Sequence, residues 1–138
     1  MPKPIRCILL IDDDSDDNYL HQLVIEDSGL CETVRVVQNG MQALAYLTQT
    51  DQPGYVRPEV IFLDINMPGM NGFEFLERYH ELSEAQKSRL ILLMLTTSLN
   101  PADQQRAGRL SDVSGYQPKP LTDRMLREIV ATYFTQPA

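Results

Sequence analysis

Nothing in this chain of 138 residues approaches the roughly 20 consecutive apolar residues that a membrane helix needs, so no membrane role is expected. Basic residues are few: 12 Lys and Arg stand against 19 Asp and Glu, giving a net charge of −7. That balance lacks the basic face required for nucleic acid, and suits a protein that stays soluble and meets basic or metal partners. There are two cysteines, and Cys7 and Cys31 have neither metal-ligand nor redox spacing; they read as buried or bystander thiols in a reducing cytosol. The start "MPKPIRCILLI" begins basic, but its apolar run is five residues long before acids interrupt it, too short for a secretory signal. Low-complexity tracts, internal repeats and interdomain linkers are absent as well. The expectation is one cytoplasmic domain over residues 1–138, with a core from about 5 to 135.

What the chain does have is alternation. Short apolar runs recur at "IRCILLI" (5–11), "TVRVV" (33–37), "EVIFLD" (59–64), "RLILLML" (89–95) and, more weakly, "SGYQP" (114–118). Most are continuous rather than alternating in polarity, as in parallel strands buried on both faces. Helical segments separate them. Leu20, Leu23 and Val24 mark an apolar face of the first, and Gly29 is its stop signal. Asn39-Gly40 opens the second, Asn71 precedes the third, and Asn100 with Pro101 begins the fourth. The fifth repeats Met125-Leu126, Ile129-Val130 and Tyr133-Phe134 on one face, with Thr122 as N-cap. The pattern is (βα)5 and predicts an α/β fold: a doubly wound, five-stranded parallel sheet with helices on both faces. Pro118 cannot donate a sheet hydrogen bond, which makes the fifth strand short or an edge. The segment 48–58, "TQTDQPGYVRP", is a long insertion, and residues 50–58 carry no chemistry that the sequence reveals.

Ligands of open α/β sheets gather at the carboxyl ends of the strands. The first strand runs into "LLIDDDSDDN" (9–18), five carboxylates within six positions, which repel one another unless a positive group sits among them. The third strand ends in Asp64, the fourth in Thr96-Thr97-Ser98, and the fifth in Lys119-Pro120. Carboxylates from two strands are hard oxygen ligands of the kind Mg²⁺ takes, and a metal between Asp13 and Asp64 relieves their repulsion. A carboxylate is also a nucleophile toward phosphorus. Thr96 and Lys119 are of the types that hydrogen-bond and charge-pair with a transferred phosphoryl group.

"LLIDDD", "VIFLDINMPGMNGFEFL", "LLMLTTS" and "GYQPKP", in this order and at these strand ends, closely resemble the receiver domain of two-component response regulators. The resemblance covers almost the whole chain and is strongest to stand-alone receivers, including those associated with bacterial phytochromes. It implies a flavodoxin-like receiver architecture with no output domain, and a cytoplasmic phosphoprotein that carries an aspartyl phosphate. Asp64 is then the phosphoacceptor. Asp12, Asp13, Asp64 and the backbone carbonyl of Asn66 hold Mg²⁺. Thr96 is the switch hydroxyl, Lys119 the charge partner, joined to Pro120 by a cis bond, and Tyr116 the aromatic that turns inward. The resemblance further implies a sensor histidine kinase or histidine phosphotransfer protein as donor, and an unidentified protein downstream. The surface of the fourth helix, fifth strand and fifth helix is the affected one, and the one through which a homodimer would form. The protein is expected to be a phosphoacceptor that takes part in its own phosphorylation and dephosphorylation, and no enzyme beyond that.

Departures from the family's pattern fall at Thr97, where alanine is usual, and in "GRLSDVSG" before Tyr116. With Asn66 and Ser98, Thr97 is a candidate for tuning loss of the phosphoryl group. Asp16 and Asp17 read as acids favoured by the first helix's dipole, Asp14 as lining the site without touching metal, and His21 and His80 as surface residues. "MPGMNG" reads as a turn after Asp64. An EF-hand fails, because its sixth position would be Asp17 and its twelfth Leu23. A Mg-dependent aspartate phosphohydrolase is disfavoured, because Asn66 stands where its second acid belongs. A degenerate receiver acting as a phosphorylation-independent scaffold is disfavoured by the retention of Asp13, Asp64 and Lys119.

Overall fold

Parallel pairing organises the chain. A computed structural model describes residues 3–65, 67, 69–88, 90–95, 105, 109 and 112–134, with the main chain alone at 91–95 and 116–118. The strands are β1 (Ile5–Ile11), β2 (Cys31–Val37), β3 (Val60–Asp64), β4 (Leu90–Leu95) and β5 (Gly115–Pro118). The sheet has the order β2-β1-β3-β4-β5, and every pair is parallel. β2 begins at Cys31, two residues before the apolar run suggests, because Cys31 pairs with Ile5. β5 is a four-residue edge strand ending in Pro118, as that proline requires.

Each α-helix bounded among the described residues follows a residue whose side chain caps it. In α2 (Gly40–Leu47) Asn39 accepts from the N–H of Gln42, and in α3 (Gly72–His80) Asn71 and Glu74 form a reciprocal capping box. Thr122 caps α4 (Asp123–Tyr133), the fifth helix of the sequence pattern. The preceding helix, expected after Asn100 and Pro101, lies outside the described residues. Gly29 ends α1 (Ser15–Ser28) with φ 72°, a left-handed conformation that glycine adopts without a Cβ penalty.

Two cores lie on opposite sides of the sheet, which is why its strands are apolar on both faces. One packs Leu9, Ile11, Ile61 and Leu63 against Ala43 and Leu47 of α2 and Phe73, Phe75, Leu76 and Tyr79 of α3. The other packs Ile5, Ile8, Leu10, Val60 and Phe62 against Ile25 of α1 and Leu126 and Ile129 of α4. Met125, Val130, Tyr133 and Phe134 flank this second core, so the repeat read from the last helix is its packing face.

The first helix differs from its sequence expectation. Its buried residues are Asn18, His21, Ile25 and Ser28, whereas Leu20 is 54% and Leu23 38% exposed, beside Tyr19 at 63%. Val24 alone of the expected face packs against the core, as a partly buried residue. The cause is polar: the Asn18 side-chain amide donates to the carbonyl of Asp12 at 2.8 Å, fixing the helix's rotation against the end of β1. His21 is accordingly buried rather than on the surface, while the His80 side chain is largely exposed.

The insertion 48–58 is folded onto the body. The Tyr46 hydroxyl donates to the Val56 carbonyl at 2.6 Å, and the Tyr46 and Tyr55 rings lie 5.2 Å apart. Arg57 donates to the carbonyls of Lys87 and Glu84, each at 2.7 Å. These contacts precede β3 and so lie at the amino end of the sheet, away from the acidic edge.

Candidate functional site

The register of β1 on β3, with Ile11 opposite Leu63, brings Asp12 and Asp64 side by side at the carboxyl edge. One carboxylate oxygen from each of Asp12, Asp13 and Asp64 lies within 4.8 Å of the other two. Asp12 and Asp64 are buried and Asp13 is exposed, so the cluster is walled by protein and open on one side. The Asp12 amide donates to the Val37 carbonyl at 3.3 Å, and Asp12 Oδ1 accepts from the amide of Asp14 at 2.9 Å. The next turn locks β3's end: the Gly72 amide donates to the Ile65 carbonyl at 2.9 Å, and Gly69 supplies a φ of 74°. Three hard anionic oxygen donors at this separation fit a divalent cation, and nothing softer than oxygen is among them.

Lys119, carried by the loop after β5 and joined to Pro120 by the expected cis bond, supplies the positive charge. Its Nζ lies 2.7 Å from Asp12 Oδ2, 2.9 Å from Asp17 Oδ2 and 3.7 Å from Asp64 Oδ1. Burial alone would lower its pKa. The hydrogen bonds to Asp12 and Asp17, with the Asp64 charge behind them, more than offset that and hold it above the usual lysine value.

The first turn of α1 divides its acids differently from the sequence reading. Asp14 is the N-cap, its Oδ1 accepting from the amides of Asp16 at 2.9 Å and Asp17 at 3.2 Å. The Asp17 carboxylate is turned to Lys119 instead of serving only the helix dipole. Sequence reasoning missed this partner, and no local signal marks it: three acids stand at the helix start, and which one faces the lysine depends on the helix's rotation. Below them His21 is buried, and its pKa is lowered, first by that burial.

Thus Asp12, Asp13, Asp64 and Lys119 are brought together as the sequence predicts. Asn66, Thr96, Thr97 and Ser98 lie outside the described residues. Tyr116 is placed through its main chain, on β5 opposite Leu93.

An acidic cluster open on one side, with a lysine held against it, at the carboxyl edge of a parallel sheet of this order places the chain among the open-sheet α/β proteins that bind at their strand ends. The chain belongs to the response regulator receiver domain family, which it matches over residues 8–131. Response regulator Rcp1 of Synechocystis is 32% identical over 101 residues, 72% of this chain and 67% of that one. The crystal structure of the Mn²⁺-bound form of a response regulator Rcp1 superposes with a TM-score of 0.73, at 27% identity, covering 96% of this chain and 99% of that one. A two-component response regulator from Cytophaga hutchinsonii gives a TM-score of 0.80 at 32% identity, covering 95% and 97% of the two chains. The bacteriophytochrome response regulator RtBRR gives 0.74 at 28% identity, covering 97% and 81%.

Proposed function

We propose that Asp64 takes the phosphoryl group, in a Mg²⁺-dependent transfer from a phosphohistidine of a sensor kinase or phosphotransfer protein. One observation carries the assignment. Asp64 ends β3 with one of its carboxylate oxygens within 4.8 Å of oxygens of Asp12 and Asp13, and Lys119 Nζ stands 3.7 Å from its Oδ1. Acids of the type that hold a divalent cation and an ammonium thus meet at the end of β3, where Asp64 stands.

In the transfer, an Asp64 carboxylate oxygen attacks phosphorus, the phosphorus–nitrogen bond of the phosphohistidine breaks, and the imidazole nitrogen leaves with the bonding pair and takes up a proton. Asp12, Asp13, Asp64 and the carbonyl of Asn66 would hold Mg²⁺, which supplies positive charge to the phosphoryl oxygens. Lys119 offers its ammonium to the same oxygens. Thr96 and Tyr116 act as the switch, and Asn66, Thr97 and Ser98 tune the lifetime of the phosphorylated form. The donor docks over α1, whose exposed Tyr19, Leu20 and Leu23 follow directly on the acids of the site. A downstream protein, or a second copy of the chain, meets the face formed by the helix after β4, β5 and α4. The chain acts in the cytoplasm as a single receiver unit that accepts phosphate rather than turning over a substrate.

Incubation with acetyl phosphate and Mg²⁺ should add one phosphoryl group by intact mass, stable to acid and labile to base. Asp64→Asn should abolish the gain; a full gain in that variant overturns the acceptor assignment.

A further inference from the structure

We infer that Asp17 is a positioning residue for Lys119, a second anchor that keeps the ammonium beside Asp64 when a cation engages Asp12. The inference rests on the phosphoacceptor reading of Asp64 and adds to it a residue outside the metal-binding acids.

An ammonium has three N–H donors and directs them roughly tetrahedrally. In this structure Asp12 accepts at 2.7 Å and Asp17 at 2.9 Å, with Asp64 Oδ1 next at 3.7 Å. The two short contacts fix where the nitrogen stands. The carboxylate of Asp12 is also one of the three acids clustered to hold a divalent ion, so the lysine and the cation draw on the same group. Asp17 is not in that cluster. It stands in the first turn of α1, held there by its own amide on the Asp14 side chain at 3.2 Å, while its carboxylate reaches outward to Lys119. When the cation takes Asp12, Asp17 retains Lys119 at the pocket wall, with its remaining donors toward Asp64. Without Asp17 the ammonium has only the acids that the cation also needs, and the two compete.

The test is a double-mutant cycle on phosphoryl uptake from acetyl phosphate, using Asp17→Ala, Lys119→Ala and the pair. Asp17→Ala should slow uptake about 3- to 10-fold, the scale of one charge-assisted hydrogen bond partly screened by solvent. In the Lys119→Ala background the same change should have no further effect, and Asp17→Glu should restore most of the rate. Equal slowing in both backgrounds would assign Asp17 to the helix alone and overturn the inference, as would an unchanged rate in Asp17→Ala. A readout that needs no phosphorylation separates this from the acceptor assignment. The chain has three lysines, and amine acylation followed by peptide mass mapping compares Lys119 with Lys3 and Lys87 as internal references. Asp17→Ala and Asp17→Asn should raise acylation of Lys119 several-fold relative to those two. Should the wild type take no phosphoryl group while Lys119 acylation rises as stated, the acceptor assignment fails and the anchor stands. If acylation of Lys119 is unchanged, the anchor fails.

Discussion

A Cβ placed on Gly72 would stand 2.9 Å from the main-chain oxygen of Asp64 and 2.8 Å from the Cα of Ile65. The obstacle is backbone, not the flexible end of a side chain, so the turn has to move to admit even alanine. Gly72→Ala is therefore expected to destabilise the fold by about 1–3 kcal/mol, the range of overpacking, in urea unfolding. It should also slow phosphoryl uptake at Asp64, since the displaced main chain carries that residue. Unchanged stability together with an unchanged rate would refute the close packing under the acceptor.

The strand-end acids were legible because parallel topology leaves little choice. Once the apolar runs 5–11 and 59–64 are strands of one parallel sheet, Asp12 and Asp64 fall at the same edge, and the β1–β3 register sets them adjacent. Caps at Asn39, Asn71 and Thr122 were legible for a local reason, since a short polar side chain before a helical run meets the exposed amides. The rotation of α1 was not. Its apolar residues Leu20, Leu23 and Val24 look like a buried stripe, yet a side-chain hydrogen bond from Asn18 to the main chain of Asp12, at the end of β1, turns a more polar side inward. That same rotation decides that Asp17, and not Asp16, meets Lys119, so both misreadings have one origin.

Lys119 and a divalent cation share Asp12, which gives opposite signs for stability and for metal affinity. Lys119→Met removes the positive charge from among carboxylates of which two are buried, and should lower stability in metal-free buffer by about 3–5 kcal/mol. The same variant should bind Mg²⁺ more tightly than the wild type, and the added ion should raise its melting temperature by more. Calorimetric titration and thermal melts with and without Mg²⁺ check both signs. Weaker metal binding in Lys119→Met would mean that the lysine and the cation do not compete.

His21 makes the fold sensitive to mild acid. Burial lowers its pKa from the ordinary 6.5; the charges of Asp17 and Asp12 act in the opposite sense, and Lys119 reinforces the lowering. With the folded pKa below the unfolded one, the unfolded chain binds the proton first, so stability rises with pH across this window. The contribution is complete above pH 6.5 and is lost as pH falls through the lowered folded value. The melting temperature should decline on acidification below about 6.5, and His21→Gln should show a shallower decline over the same window. An identical slope in the variant would remove His21 as the cause.

Tyr19, Leu20 and Leu23 are large apolar side chains left exposed on α1, next to the acids and away from both cores. Replacing an exposed leucine seldom changes stability by more than about 0.5 kcal/mol, so Leu20→Ser should melt close to the wild type. If a phosphohistidine-bearing donor docks here, as proposed, the variant should lose rate selectively. Uptake from acetyl phosphate, which needs no docking surface, should be unchanged, while transfer from a phosphorylated histidine kinase should fall about tenfold or more, in line with loss of an apolar anchor at an interface. Parallel time courses with the two donors separate the cases. Equal rates from the kinase in wild type and in both Leu20→Ser and Tyr19→Ser would place the docking surface elsewhere. Slowing with both donors would assign the effect to the site itself, because a perturbation reaching Asp12 through Asn18 cannot distinguish one phosphodonor from another.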